Sequence, residues 1–242
     1  MRTSLVVIEP RPGADVPLAR TMSHDAVRSP VLSELYQQYL ADQDTAAFIH
    51  RTTSRYTVAT LARLAAVGER MVRRAAVLAL GYVADYESNA TLGRALNDPD
   101  RGVRLLAENG IRAVWCRIGS SNQRQRLVRV MSLNNAQQAI AALREATALI
   151  RDAPWLAEGW NQRAIAHFAL NRYEESIRDC RQALEINPYH FAAAAGMGQC
   201  YLKLHDQPHA LESFRRALGL NPELEGIRAQ AQQLERSLKR KQ

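Results

Sequence analysis

From Pro30 onward, apolar residues return every three or four positions, the period of helices that bury one face. The stretch "PVLSELYQQYLADQ" sets Val31, Leu32, Leu35, Tyr36, Tyr39 and Leu40 on one stripe, and "TAAFIHRTTSRY" predicts a second short helix; the pair reads as an N-terminal cap. Residues 1–29 carry Pro10, Pro12, Gly13 and Pro17 with no sustained period, and are expected to form a mobile arm without an assigned function.

The pattern then repeats itself under a shift of thirty-one residues. Thr60, Leu61, Arg63, Arg70, Val72, Arg73, Ala76 and Val83 recur as Thr91, Leu92, Arg94, Arg101, Val103, Arg104, Ala107 and Val114. Each copy predicts a short helix, a turn ("GE" at 68–69, "NDPD" at 97–100) and a longer helix. Such a hairpin cannot bury its apolar stripe alone, so it must stack on a neighbour. With the two capping helices, this region is expected to span residues 30–118. "RIGSSNQRQR" breaks the pattern, and residues 119–126 are read as a linker.

A second array is expected over residues 127–242, with a period of thirty-four. "RQALEINP" at 181–188 returns as "RRALGLNP" at 215–222. Ala183 and Ala217 let helices approach closely, Leu184 and Leu218 fill the core, and Asn187-Pro188 and Asn221-Pro222 stop each helix. The frames are 157–190 and 191–224, preceded by a partial repeat ending in Pro154 with about three residues too many, and followed by a capping helix with Ile227, Leu234 and Leu238 inward.

Composition supports an all-α solenoid. The 242 residues are 47% hydrophobic but only 6% aromatic, so the core must be aliphatic and small, as closely packed helices prefer. Cys116, Cys180 and Cys200 are too few and too scattered for a disulfide framework, which points to a reducing cytoplasm. "LVVI" at 5–8 is too short for a membrane span or signal core, so no membrane insertion is expected. The net charge of +8 permits an anionic partner without specifying one.

Common catalytic and nucleotide-binding signatures are absent, and neither a cofactor nor a metal is expected. His205 and His209 are four apart, but Pro208 intervenes at a turn, so one helical face cannot present both. Cys180 and Cys200 sit at positions expected to be buried, and Glu174, Glu175 and Asp179 read as a solvated face.

Two resemblances follow from these residues. "RMVRRAAVLALGYV" and "DPDRGVRLLAENGIRAV" resemble short HEAT-like repeats, such as those of phycobilin lyases. In that family an Asp in the turn and an Arg six residues on form a ladder; Asp98 and Arg104 have the spacing, whereas Arg73 has Val67 in place of the Asp and is therefore left more available. The thirty-four-residue frames resemble tetratricopeptide (TPR) repeats, through Trp160, Ala164, His167, Ser176, Cys180, Ala183 and Pro188 in one copy and Ala194, Gly198, Tyr201, Ala210, Phe214, Ala217 and Pro222 in the next.

The TPR resemblance implies a concave groove lined by the first helix of each repeat, at Glu158, Asn161, Ile165 and Phe168, then Ala192, Ala195, Gln199 and Leu202, with Lys203 adjacent. The partner-binding set expected from it is Asn161, Ile165, Phe168, Ala195, Gln199, Leu202 and Lys203, holding a peptide's backbone with amides and its side chains on an apolar floor. Some TPR domains grip a C-terminal carboxylate with a Lys/Asn clamp; Asn161 and Ile165 replace those residues here. The expected function is a non-catalytic adaptor or assembly scaffold that binds a protein or peptide. One alternative is nucleic-acid binding through the arginine-rich N-terminal region, with Arg70, Arg73, Arg74 and Arg101 as anion contacts. A second is a bilin lyase-like activity.

Overall fold

The computed structural model describes residues 31–239, and within them every regular element is helical. The N-terminal stack comprises α1 (Val31–Asp42), α2 (Thr45–Thr53), α3 (Val58–Val67), α4 (Arg70–Val83), α5 (Asn89–Ala95) and α6 (Arg101–Arg117). The second stack comprises α7 (Ser121–Asn135), α8 (Ala139–Asp152), α9 (Ala157–Ala169), α10 (Tyr173–Ile186), α11 (Phe191–Lys203), α12 (Gln207–Leu220) and α13 (Glu225–Lys239). The arm expected at 1–29 lies outside the described residues.

Local chemistry starts these helices where the polar residues fall. The side chains of Asp44, Thr57 and Asp100 each accept the backbone N–H three residues on, satisfying a donor left open by the first turn. In α1 the buried residues are Leu32, Ser33, Leu35 and Tyr36, which face α4; Val31 and Leu40, expected on the same stripe, are exposed. The two thirty-one-residue copies form α3–α4 and α5–α6. They meet where Gly81 and Gly110 lie back to back; a Cβ at Gly81 would stand 2.8 Å from the Gly110 Cα.

The break at 119–126 is a turn and not a linker. Only Ile118, Gly119 (φ 91°) and Ser120 leave the helical path. Ser120 and Gln123 then form a reciprocal capping box that starts α7 at Ser121. The Gly-Ser-Ser-Asn composition that looks like a tether is a helix start.

Three hairpins follow in strict register. The tight turns inside them pivot on Gln137, Asn171 and His205, all left-handed with φ of 58°, 59° and 59°, and spaced thirty-four apart. Pro154, Pro188 and Pro222 keep the same spacing between hairpins. The partial repeat, expected to be three residues out of step, is therefore a full hairpin, α7–α8. Its divergence lies at Ala153, which stands where the later copies have Asn187 and Asn221.

The two stacks share a core. Phe191, fully buried at the start of α11, belongs to the N-terminal cluster, against which Tyr189, Leu220 and Leu224 also pack. The N-terminal stack thus lies against the connections after α10 and α12 instead of extending the array from its end.

Candidate functional site

The site is built on the facing sides of α9 and α11. Between them lies a cavity of about 190 Å³ whose walls include Asn161, Ile165, Phe168, Ala192, Gly196 and Gln199, with Ser176 and Cys180 of α10 at the back. Phe168 is held edge-on to Tyr173, ring centroids 5.5 Å apart, and Gln199 donates to Gln230 of α13 at 2.8 Å. Burial pushes the Cys180 thiol far up, so this wall carries no charge near neutrality. Ile165 also borders a larger, open shelf of about 870 Å³ between the first two hairpins, walled by Ile140, Arg144 and Leu170.

Of the seven residues expected to meet a partner, Asn161, Ile165, Phe168 and Gln199 line this cavity. Ala195, Leu202 and Lys203 do not: Leu202 packs toward α12, and Lys203 is exposed beyond the end of the cavity. Glu158, placed on the groove by position, is buried behind it. The reason is that Glu158 faces the N-terminal stack, an element no repeat frame contains.

Glu158 anchors a polar network through the junction. It accepts hydrogen bonds from His190 Nε2 (2.9 Å), Gln162 (2.7 Å) and Asn161 (3.1 Å). Nδ1 of His190 accepts the backbone N–H of Ala193, which leaves Nε2 to donate. Burial alone would push the Glu158 carboxyl up; the His190 and amide donors outweigh it and hold the group below its ordinary value. The His190 ring stacks on Trp115 of α6 at 4.3 Å, Trp115 donates to Asn89, and Asn89 donates to Asn187. The Asn-Pro stop of the second hairpin therefore also docks the N-terminal stack. Asn161 thus serves both the cavity and the junction.

The arginines of the N-terminal stack are largely engaged. Arg73, expected to be the more available one, makes a two-pronged pair with Asp98 at 2.7 and 2.8 Å and also reaches the Gly68 carbonyl. Arg74 does the same with Asp100 at 2.6 and 2.8 Å; that bond, aided by the Val103 N–H and opposed by burial, takes the Asp100 carboxyl down to about 2. Arg104 holds the Asp98 backbone carbonyl and gives Nε to Glu223, which also receives Arg101. The ladder runs between repeats, and Glu223 supplies its last carboxylate. Of Arg70, Arg73, Arg74 and Arg101, only Arg70 and Arg101 are exposed, and Arg101 already meets Glu223.

Other sequence readings resolve in the same way. Asp179 is buried, not solvated, and accepts from Nε and Nη2 of Arg163, each at 2.7 Å. Cys180 and Cys200 are buried; Cys116 is partly so, its thiol pushed up to about 11 by burial. His205 occupies a left-handed turn and His209 bonds Asp206; among the described residues, no cluster of His, Cys, Asp and Glu has metal-ligand geometry. No described helix is long and apolar enough to cross a membrane.

Residues 157–190 match the family described as tetratricopeptide repeat. A TPR repeat-containing protein of Rhizobium etli is 30% identical over 128 residues, 52% of this chain and 60% of that protein. Protein SGT1 homolog of Bos taurus is 33% identical over 81 residues, 34% of this chain and 24% of that protein. The chain therefore spans less than two thirds of either relative. Among solved structures, the first TPR of Spaghetti (RPAP3) bound to an HSP90 peptide is similar at 18% identity and a TM-score of 0.47, covering 50% of this chain and 96% of that one. The TPR2AB domain of yeast Sti1 in its pHSP90 complex is similar at 15% identity and a TM-score of 0.43, covering 85% and 95%. Residues 157–190 are thus similar to a tetratricopeptide repeat, and the fold of the described residues is a helical solenoid.

Proposed function

We propose that this chain is a TPR-type adaptor that binds an extended or helical segment of a partner protein along the face between α9 and α11. The observation that supports the reading is the apolar cavity flanked by two amide side chains, Asn161 and Gln199, and opening beside Ile165. Amides can hold backbone groups of a peptide while the apolar wall takes its side chains. The N-terminal stack supports the groove from behind, since the Glu158–His190–Trp115 network braces α9 and α11 against α6.

The test is selection of a displayed random-peptide library on the full chain, followed by measurement of the selected peptides on a variant carrying Phe168→Ala and Ile165→Ala. Both residues line the cavity, and neither joins the buried network. Binding should fall by about tenfold or more, as expected for losing one or two buried apolar contacts. Equal retention by wild type and variant would refute the groove. The nucleic-acid alternative has less support, because Arg73 and Arg74 spend their donors on carboxylates.

A further inference from the structure

Two side-chain amides on this face have their hydrogen-bonding sense fixed from behind. Nδ2 of Asn134 gives its N–H groups to the backbone carbonyl of Gln162 at 2.9 Å and to the Gln162 side-chain oxygen at 2.8 Å. Nδ2 of Asn161 gives one to Oε1 of Glu158 at 3.1 Å, and the same oxygen takes Gln162 at 2.7 Å. Glu158, held below its ordinary value by these donors and His190, is ionised near neutrality. A carbonyl or an ionised carboxylate can only accept, so an amide touching either must present its nitrogen to it. Gln199 differs: its neighbour Gln230 is another amide, and either could donate to the other.

With the nitrogens turned inward, the oxygens remain. Asn134 walls the open shelf, Asn161 lines the smaller cavity, and Ile165 borders both. Among the described residues neither Oδ1 has a hydrogen-bond partner, and neither is sealed off as a buried polar atom. Two carbonyl oxygens therefore stand toward whatever lies across Ile165, and what meets them must donate. A helical segment spends most of its N–H groups on itself, whereas an extended one leaves them free.

Building on the peptide-groove reading, we infer that Glu158 is a positioning residue for partner binding: it holds the Asn161 nitrogen inward, so that the Asn161 carbonyl oxygen meets an N–H group of the partner. Glu158 itself touches no partner atom. It is buried at the junction, where His190, stacked on Trp115 of α6, holds its other oxygen. The N-terminal stack thereby sets the hydrogen-bonding sense of a face that it does not form. Asn134 is oriented independently of Glu158, by the Gln162 backbone carbonyl.

The probes are synthetic copies of peptides selected from the displayed library on the full chain, each also made as a series in which one backbone N–H at a time becomes N–CH3. On wild type two positions should stand out, each weakened by about threefold to tenfold, the worth of one hydrogen bond. In Glu158→Gln the new NH2 group must fall beside Asn161, because His190, whose Nδ1 accepts the Ala193 N–H, still needs an acceptor at Nε2. Asn161 then turns. The parent peptide should bind about threefold to tenfold more weakly, and one of the two methylation penalties should disappear while the other, at Asn134, remains. Glu223→Ala, which weakens the fold elsewhere, should keep wild-type affinity and both penalties, so lost stability does not mimic the effect. In wild type itself the Asn161 side-chain amide protons should exchange slowly with water by nuclear magnetic resonance, a reading independent of how any variant folds. Fast exchange, or a Glu158→Gln chain with wild-type affinity and both penalties, would overturn the positioning role, while the groove stands if Phe168→Ala with Ile165→Ala weakens binding. If that double variant binds like wild type, or no peptide is selected, the groove reading falls and this inference with it.

Discussion

Replacing Glu158 by alanine should be among the most damaging single changes in the chain. The carboxylate receives His190, Gln162 and Asn161, and all four side chains are buried. Removing it strands three donors together, and the cost of breaking such a buried charged cluster is about 3–5 kcal/mol. Against a typical total stability of about 5–15 kcal/mol this is a large share. For a chain of this length each kcal/mol moves the melting temperature by about 2–4 °C, so Tm should fall by about 6–20 °C. Urea unfolding near neutral pH, followed by far-UV circular dichroism, measures the loss directly. Glu158→Gln, which keeps an acceptor, should lose less. The pH dependence has a definite sign. Because the folded carboxyl lies below its ordinary value of 4.5, its stabilisation is complete above that pH and drains away as pH falls through the folded value. In Glu158→Gln this part of the acid sensitivity should vanish. A Glu158→Ala loss below about 1 kcal/mol would refute the claim that the network carries the junction.

Two further outcomes follow from the ladder. Glu223→Ala removes the carboxylate shared by Arg101 and Arg104, and should cost about 1.5–3 kcal/mol in urea unfolding, because a charged acceptor at a part-buried contact is lost; the Glu108→Ala control, which breaks an intrahelical pair with Arg112, should cost about 0.5 kcal/mol or less. Equal losses would deny Glu223 its role. Asp100→Asn keeps a competent helix cap but removes a carboxyl held at about 2, so the decline in wild-type stability between pH 3.8 and about 2 should flatten in the variant, as read from urea midpoints across that range. An unchanged slope would show that the Arg74 pair does not stabilise the fold.

The helical periods, the two repeat lengths and the Asn-Pro stops are local patterns, and they determined the paired helices of the two thirty-one-residue copies and of the frames at 157–190 and 191–224. The TPR resemblance placed Asn161, Ile165, Phe168 and Gln199 on one face, and the thirty-four-residue frame supplied the register in which that resemblance was read. Local composition misled at 119–126, where Gly, Ser and Asn compose a capping box as readily as a tether; the Ser-x-x-Gln at 120–123 was the signal available. It misled again at Ala153, since one substitution at a stop obscured a hairpin whose turn and proline keep the register. Leu202 and Lys203 were assigned by position in an idealised groove, and their exposure and packing depended on where that groove ends.

Long-range pairing was decided only in three dimensions. Nothing in either period tells that Arg73 meets Asp98, that Arg104 meets Glu223, or that Asn89 meets Asn187 across ninety-eight positions. A repeat pattern describes each hairpin against its sequence neighbours, whereas the N-terminal stack folds back onto hairpins that are distant in the chain. That contact buried Glu158 and turned the Asn-Pro stop into a docking point, since His190 stacks on Trp115 and Asn187 meets Asn89 there.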